Sequence, residues 1–257
     1  MGVADHGLTV GDGAFEAVKV LDGEPFALTR HLRRLARSAE GLGLPAPDDA
    51  AIRDGIDAVL ADRAVARGKL RITFTAGPGP LGSGRGHGGP TVVVAVEDLE
   101  PAAASVAVVT VPWPRNERGA LAGLKTTSYA ENVLALVRAQ EAGAAEAVFA
   151  NLAGQLCEGT GSNVFYVVDG QLRTPTLACG CLAGVTRALV LEWYDDLTEV
   201  DEPIGVVDGA TEVFLTSTTR DVQPVHRWND RVLAAPGPVT AAVQEAWRRG
   251  EGAGPDP

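Results

Sequence analysis

Lysine is nearly missing from this sequence. Of 22 basic residues only Lys19, Lys69 and Lys125 are lysines, so lysine-dependent chemistry is a choice among three positions. Cys157, Cys179 and Cys181 are too few for a disulfide framework and wrongly spaced for a four-ligand zinc site, which reads as inert thiols in a reducing compartment. His6, His31, His87 and His226 show no metal-ligand spacing, and no metal is expected. No apolar run reaches the ~18 residues of a membrane span, and no basic segment leads into an apolar one at the amino terminus. The expectation is a soluble, cytoplasmic protein. Positive charge is also scarce: 33 acidic against 22 basic residues give −11, which disfavours a nucleic-acid partner. What remains is 257 residues, 46% of them hydrophobic, enough for one large domain or two small ones.

The pattern along the chain mixes strands and helices without strict βαβ alternation, which predicts an α+β fold with antiparallel sheets. Apolar and polar residues alternate over 14–20, and Asp22-Gly23 supplies a hairpin turn. Thr29 is positioned to cap a helix with the apolar stripe Leu32, Leu35, Ala36, Ala39 and Leu42, and Asp48 or Asp49 to start a second. Strands are expected near 69–75, 91–96, 106–111, 146–150, 164–168, 212–216 and 222–225. Helices are expected near 128–142, 185–193 and 239–248. The domains predicted are a small amino-terminal one over 1–98, a linker over 99–105, a larger one over 106–250, and a disordered tail over 251–257.

Four segments carry residues suited to chemistry. Lys125 emerges from small and apolar residues just before a helix, where partial desolvation lets a neutral amine attack a carbonyl, with Tyr129 one turn on. A solvated loop lysine is the plain alternative. Glu158 ends a short apolar run and is followed by Gly159-Thr160-Gly161-Ser162-Asn163, so a cationic ring can approach it; a turn with a solvated carboxylate is the alternative. Gly184-Val185-Thr186-Arg187 at a helix start and Thr216-Ser217-Thr218 after a strand offer amides and hydroxyls to a phosphate, though each alone is an ordinary cap or strand end. Arg85, in Gly82-Ser83-Gly84-Arg85-Gly86, suits a carboxylate or plain solvent.

In this order these segments resemble the class IV aminotransferases, the fold-type IV pyridoxal-phosphate enzymes. The similarity runs from His6 to Gln244. It includes Asp5-His6-Gly7-Leu8, Gly11-Asp12-Gly13-Ala14-Phe15-Glu16, His31-Leu32-Arg33-Arg34-Leu35 and Glu212-Val213-Phe214-Leu215-Thr216-Ser217-Thr218 as well. The resemblance implies a two-domain homodimer whose larger carboxy-terminal domain is a pseudo-barrel, with pyridoxal 5′-phosphate as cofactor. Lys125 would be its covalent partner and the catalytic residue. Arg34, Val185, Thr186, Ser217 and Thr218 would take the phosphate, Glu158 the ring nitrogen and Tyr129 the phenolic oxygen.

Relatives start about one β-hairpin further upstream, so the first sheet is expected to be depleted here or the start codon misplaced. The position two residues after Leu8, an aromatic in branched-chain aminotransferases, is Val10. That difference, with Phe15, Arg71 and Arg85 as implied contacts to a small-molecule carboxylate substrate, favours an aminodeoxychorismate lyase giving 4-aminobenzoate and pyruvate. An aminotransferase acting on branched-chain or D-amino acids is the alternative, and a non-catalytic small-molecule binding protein a third.

Overall fold

The computed structural model describes residues 1–257, which divide into two compact units: 1–101 with 124–129 and 255–257, and 102–123 with 130–254. In the first, the short helix α1 (His6–Thr9) precedes β1 (Gly13–Leu21) and β2 (Glu24–Pro25). Asp22 and Gly23 both adopt positive φ, 49° and 82°, the geometry of a two-residue hairpin turn. Helices α2 (Leu28–Gly41) and α3 (Asp49–Ala61) follow, then β3 (Arg67–Thr75) and β4 (Thr91–Asp98), completing a sheet of order β2-β1-β3-β4. Ala14, Val18 and Val20 of β1, Leu70, Ile72 and Phe74 of β3, and Leu32, Leu35 and Ala39 of α2 form one core. Fully buried Leu35 alone contributes about 2 kcal/mol of that burial.

The amino terminus of α2 differs from the sequence reading. Its cap is Ala27, held in the left-handed region at φ 54°, and Thr29 lies inside the first turn. The carboxylate of Asp256 accepts bonds from the Thr29 amide (2.9 Å) and hydroxyl, and the Pro255 carbonyl accepts one from the Ala27 amide at 2.6 Å. Residues 255–257, read from composition as part of a loose tail, thus supply the capping groups that Thr29 was expected to provide.

The second unit begins with β5 (Val106–Thr110) and continues through α4 (Ala130–Glu141), β6 (Glu146–Ala150), β7 (Leu156–Gly159), β8 (Asn163–Val168) and β9 (Gln171–Thr174). It ends with α5 (Val185–Trp193), β10 (Leu197–Glu199), β11 (Glu212–Ser217), β12 (Asp221–Trp228), β13 (Arg231–Val232) and α6 (Pro238–Glu251). Strands pair in the order β8-β11-β12-β5-β6-β7, and β7 returns to β8 through Glu158 opposite Asn163, closing a six-stranded barrel. Alternation along its strands separates two apolar faces. Val108, Val148, Val164, Tyr166, Val213, Leu215 and Val225 share one core, whereas Ala107, Val109, Ala147 and Phe149 pack with Ala135 and Ala139 of α4. Burial on both faces explains why these strands read as nearly continuous apolar runs. No helix is long and apolar enough to cross a membrane.

Candidate active site

In the first unit, Lys125 is held by the sheet that precedes it by a hundred residues. Thr126 bridges to Ala14, the Phe15 amide donates to the Lys125 carbonyl at 3.1 Å, and the Thr127 amide to Gly13 at 2.8 Å, so this segment lies antiparallel to the start of β1. The Lys125 amide donates to Ser38 Oγ of α2 at 3.1 Å. The Lys125 side chain is consequently aimed by backbone on both sides. Its Nζ stands 4.3 Å from the centre of the Phe15 ring and 5.9 Å from that of Tyr129, and the two rings meet edge to face at 5.1 Å. The Arg71 guanidinium lies over the same Phe15 ring at 3.9 Å. Four residues proposed from sequence, Phe15, Arg71, Lys125 and Tyr129, therefore come together.

Behind them, Glu16 accepts bonds from Arg34 Nε (2.8 Å) and Nη2 (2.6 Å) and lies 2.7 Å from His31 Nδ1, all three side chains being buried. Burial pushes the Glu16 carboxyl up, but the charge and hydrogen bonds of Arg34, with His31, outweigh it and bring it to about 2. Burial moves His31 down, against the pull of Glu16. Arg34 is thus anchored through Glu16, a residue to which sequence reasoning gave no role.

Arg85 stands apart. It forms a fork with Asp12 (Nε at 2.7 Å, Nη2 at 2.8 Å) and donates to the Leu42 and Gly43 carbonyls, pinning the glycine-rich loop to the end of α2. Each nitrogen of its guanidinium already has an acceptor. Carboxylate recognition by Arg85 would require that fork to open.

In the second unit, Asn163 organises the remaining candidates. On the neighbouring strands it pairs with Glu158 of β7 on one side and Thr216 of β11 on the other, and its Nδ2 donates to the Leu182 carbonyl at 2.9 Å. Gly184, which caps α5 without a side-chain bond, approaches so closely that a Cβ there would lie 2.0 Å from Asn163 Oδ1. Glu158, Gly184 at the amino terminus of α5 and Thr216 near the end of β11 therefore meet at one residue, with Val185 and Thr186, and Ser217 and Thr218, next along the chain. Thr216 Oγ1 is buried there with no hydrogen-bond partner. Arg187 turns away from this cluster, bonding the Pro175 carbonyl at 2.7 Å and the Glu199 carboxylate.

Glu158 itself is fixed from two sides. The Leu182 amide donates to Oε2 at 2.8 Å, and Arg115 Nε lies 3.3 Å from Oε1. Arg115 packs its guanidinium over Phe149 at 4.1 Å and donates to Glu131 and Asn132, while Asn132 donates to the Thr160 carbonyl. Sequence reasoning missed Arg115, which sits in an irregular stretch between Pro114 and Asn116 with no periodicity to mark it. The turn after Glu158 is held by buried Glu146, which accepts from the Thr160 amide and hydroxyl and from Ser162 Oγ.

Residues 13–228 match the family model for class IV amino-transferases. A putative branched-chain-amino-acid aminotransferase of Methanocaldococcus jannaschii is 32% identical over 259 residues, covering 96% of this chain and 89% of that protein. A fold IV-transaminase from Curtobacterium pusillum superposes with a TM-score of 0.85 at 32% identity, over 95% of this chain and 89% of its own. A putative 4-amino-4-deoxychorismate lyase from Legionella pneumophila superposes with 0.91 at 22% identity, over 97% and 94%, a likeness of fold.

Proposed function

Because the chain belongs to the class IV aminotransferases, we propose that it moves the amino group of a branched-chain or D-configured amino acid to a keto-acid acceptor. The family is one of pyridoxal-phosphate enzymes, which sets aside a non-catalytic binding protein. The residues present fit that cofactor. An uncapped helix start and the unpartnered Thr216 hydroxyl beside it suit the phosphate, an arginine-backed carboxylate suits a cationic ring, and one of only three lysines lies on an aromatic wall. When bound, pyridoxal phosphate supplies an aldehyde to take up the amino group and a ring that withdraws electrons.

Each residue then has a task. The amides of Val185 and Thr186 and the hydroxyls of Ser217 and Thr218 would hold the phosphate. Glu158, with Arg115 Nε 3.3 Å from its Oε1, would hold a proton at the ring nitrogen. Tyr129 orients the phenolic oxygen. Lys125 Nζ would take the proton from the substrate's Cα, which requires the amine to be uncharged at that moment.

The observation that carries this reading is that Arg71 and Lys125 share one ring, Phe15. A substrate carboxylate paired with Arg71 places its α-carbon near Nζ, and Phe15 keeps water from the apolar side. Leucine or D-alanine with 2-oxoglutarate should yield one glutamate per keto acid formed. Failure with both donors, in protein that binds the cofactor, would refute it.

A second reading, elimination from aminodeoxychorismate to pyruvate and 4-aminobenzoate, is supported by Val10 in the place of an aromatic. It asks Arg85 to leave Asp12 and join Arg71 on a dicarboxylate. Release of pyruvate without any keto-acid acceptor would select it. Two copies of the chain are proposed to pair, and the exposed Val133, Leu134 and Val137 on α4 form an apolar face suited to a second copy.

A further inference from the structure

The chain's three cysteines gather in one buried cluster. Cys157 comes from β7, Cys179 from the short 3-10 turn Leu177–Cys179, and Cys181 follows two residues later. The Sγ atoms of Cys157 and Cys179 are 3.8 Å apart, and Cys157 Sγ also donates to the Cys179 carbonyl at 3.4 Å. Cys181 Sγ is turned to the Thr176 carbonyl at 3.6 Å. This cluster flanks Glu158 on both sides. Cys157 directly precedes it, and Cys181 directly precedes Leu182, whose amide donates to Glu158 Oε2 at 2.8 Å.

We propose that Cys157 and Cys179 form a peroxide-reactive dithiol, and that their oxidation to a disulfide withdraws the Leu182 support from Glu158. The sulfurs of Cys157 and Cys179 are already in contact, so a Cys179 oxidised by peroxide has its resolving thiol in place. Cys179 Sγ attacks hydrogen peroxide: an S–O bond forms, the O–O bond breaks, and the departing hydroxide leaves as water with a proton. Cys157 Sγ then attacks the resulting sulfenic sulfur, forming the S–S bond and breaking S–O, and its proton leaves with the second water. Two thiols and one peroxide thus give one disulfide and two waters. A disulfide requires about 2.05 Å between sulfurs, so the pair must close by about 1.8 Å. That closure draws β7 and the 177–182 turn together, and Glu158 is attached to both.

The test treats holoenzyme with hydrogen peroxide and reads two signals that do not require activity. Peptide mass mapping should show a cross-link between the Cys157 and Cys179 peptides with a loss of about 2 Da, reversed by dithiothreitol. Amide exchange at Leu182 should rise in the oxidised form. Cys181→Ser should behave as the parent, and Cys157→Ser should show neither signal. A Cys179–Cys181 link, separate oxygen additions on each sulfur, or three thiols unchanged in the folded protein would overturn the proposal, as would a cross-link with unaltered Leu182 exchange. The functional arm rests on the role proposed for Glu158, and kcat should fall about tenfold or more on oxidation, the scale for loss of a supporting contact. If Leu182 exchange rises and kcat holds, the dithiol stands and the role of Glu158 fails instead.

Discussion

Arg115 Nε stands 3.3 Å from Glu158 Oε1, while the other carboxylate oxygen is taken by the Leu182 amide. An opposite charge at that distance favours the ionised acid, and a donor on the second oxygen fixes its direction. Both oxygens of Glu158 are therefore held in a fixed direction. Arg115 in turn is immobilised by Phe149, Glu131 and Asn132.

Glu158→Gln should retain the cofactor but lower kcat on the order of 10² or more, about 3 kcal/mol in a barrier, because an amide does not hold a proton at the ring nitrogen. Arg115→Met should cost about 10- to 100-fold through Glu158 rather than directly. An unchanged kcat in Glu158→Gln removes it from that role.

Lys125→Ala should abolish the yellow colour of the bound cofactor and its fixation by borohydride. If the variant is still labelled, Lys19 or Lys69 is the partner, and peptide mapping will say which.

Glu16→Gln should destabilise the first unit by about 3–5 kcal/mol, since it leaves the buried Arg34 guanidinium facing an uncharged amide. The pH dependence has a definite sign. Glu16 is ionised when folded down to about 2 but only to 4.5 when unfolded, so its contribution is present above 4.5 and is lost as pH falls toward 2. His31, lowered when folded, is protonated more readily in the unfolded chain, so stability begins to fall below about 6.5. Unfolding midpoints measured from pH 8 to 3 should decline first through the His31 range and then through the Glu16 range, and a midpoint that rises on acidification would overturn this.

Arg71→Ala should raise KM for the amino donor about 5- to 150-fold, the equivalent of 1–3 kcal/mol for a carboxylate left unpaired. Arg85→Ala should leave that KM nearly unchanged and instead loosen the 77–90 loop, seen as faster proteolysis there. An equal rise in KM for both variants would support the lyase reading.

Placing aspartate at Val133 and Val137 together should convert a dimer into a monomer in sedimentation without unfolding it, because both side chains are exposed in the single chain. A dimer that persists would move the contact elsewhere.

What the sequence by itself determined is local. Helix α5 begins and ends where the apolar spacing and the Gly184 boundary place it, Asp48 caps α3 through the Ala51 amide, and Asp22-Gly23 turns β1 back on itself. These features depend on residues within one turn or one hairpin, so spacing along the chain carries them. The three-lysine count likewise narrowed the nucleophile to a short choice, and similarity of ordered motifs pointed to the family.

Tertiary structure decided whatever depends on a partner remote in sequence. The cap of α2 lies at Ala27, and the carboxylate that takes the Thr29 amide is Asp256, 227 residues further along the chain. Arg85 faces Asp12 across 73 residues, a pairing that ties the glycine-rich loop to the end of α2. Arg115 reaches Glu158, Glu16 reaches Arg34, and three scattered thiols become one cluster, none with a periodic signal. Ion pairs and thiol contacts are set by side chains meeting within a few ångströms, a condition that chain spacing leaves open until the barrel closes and the sheet receives its helices.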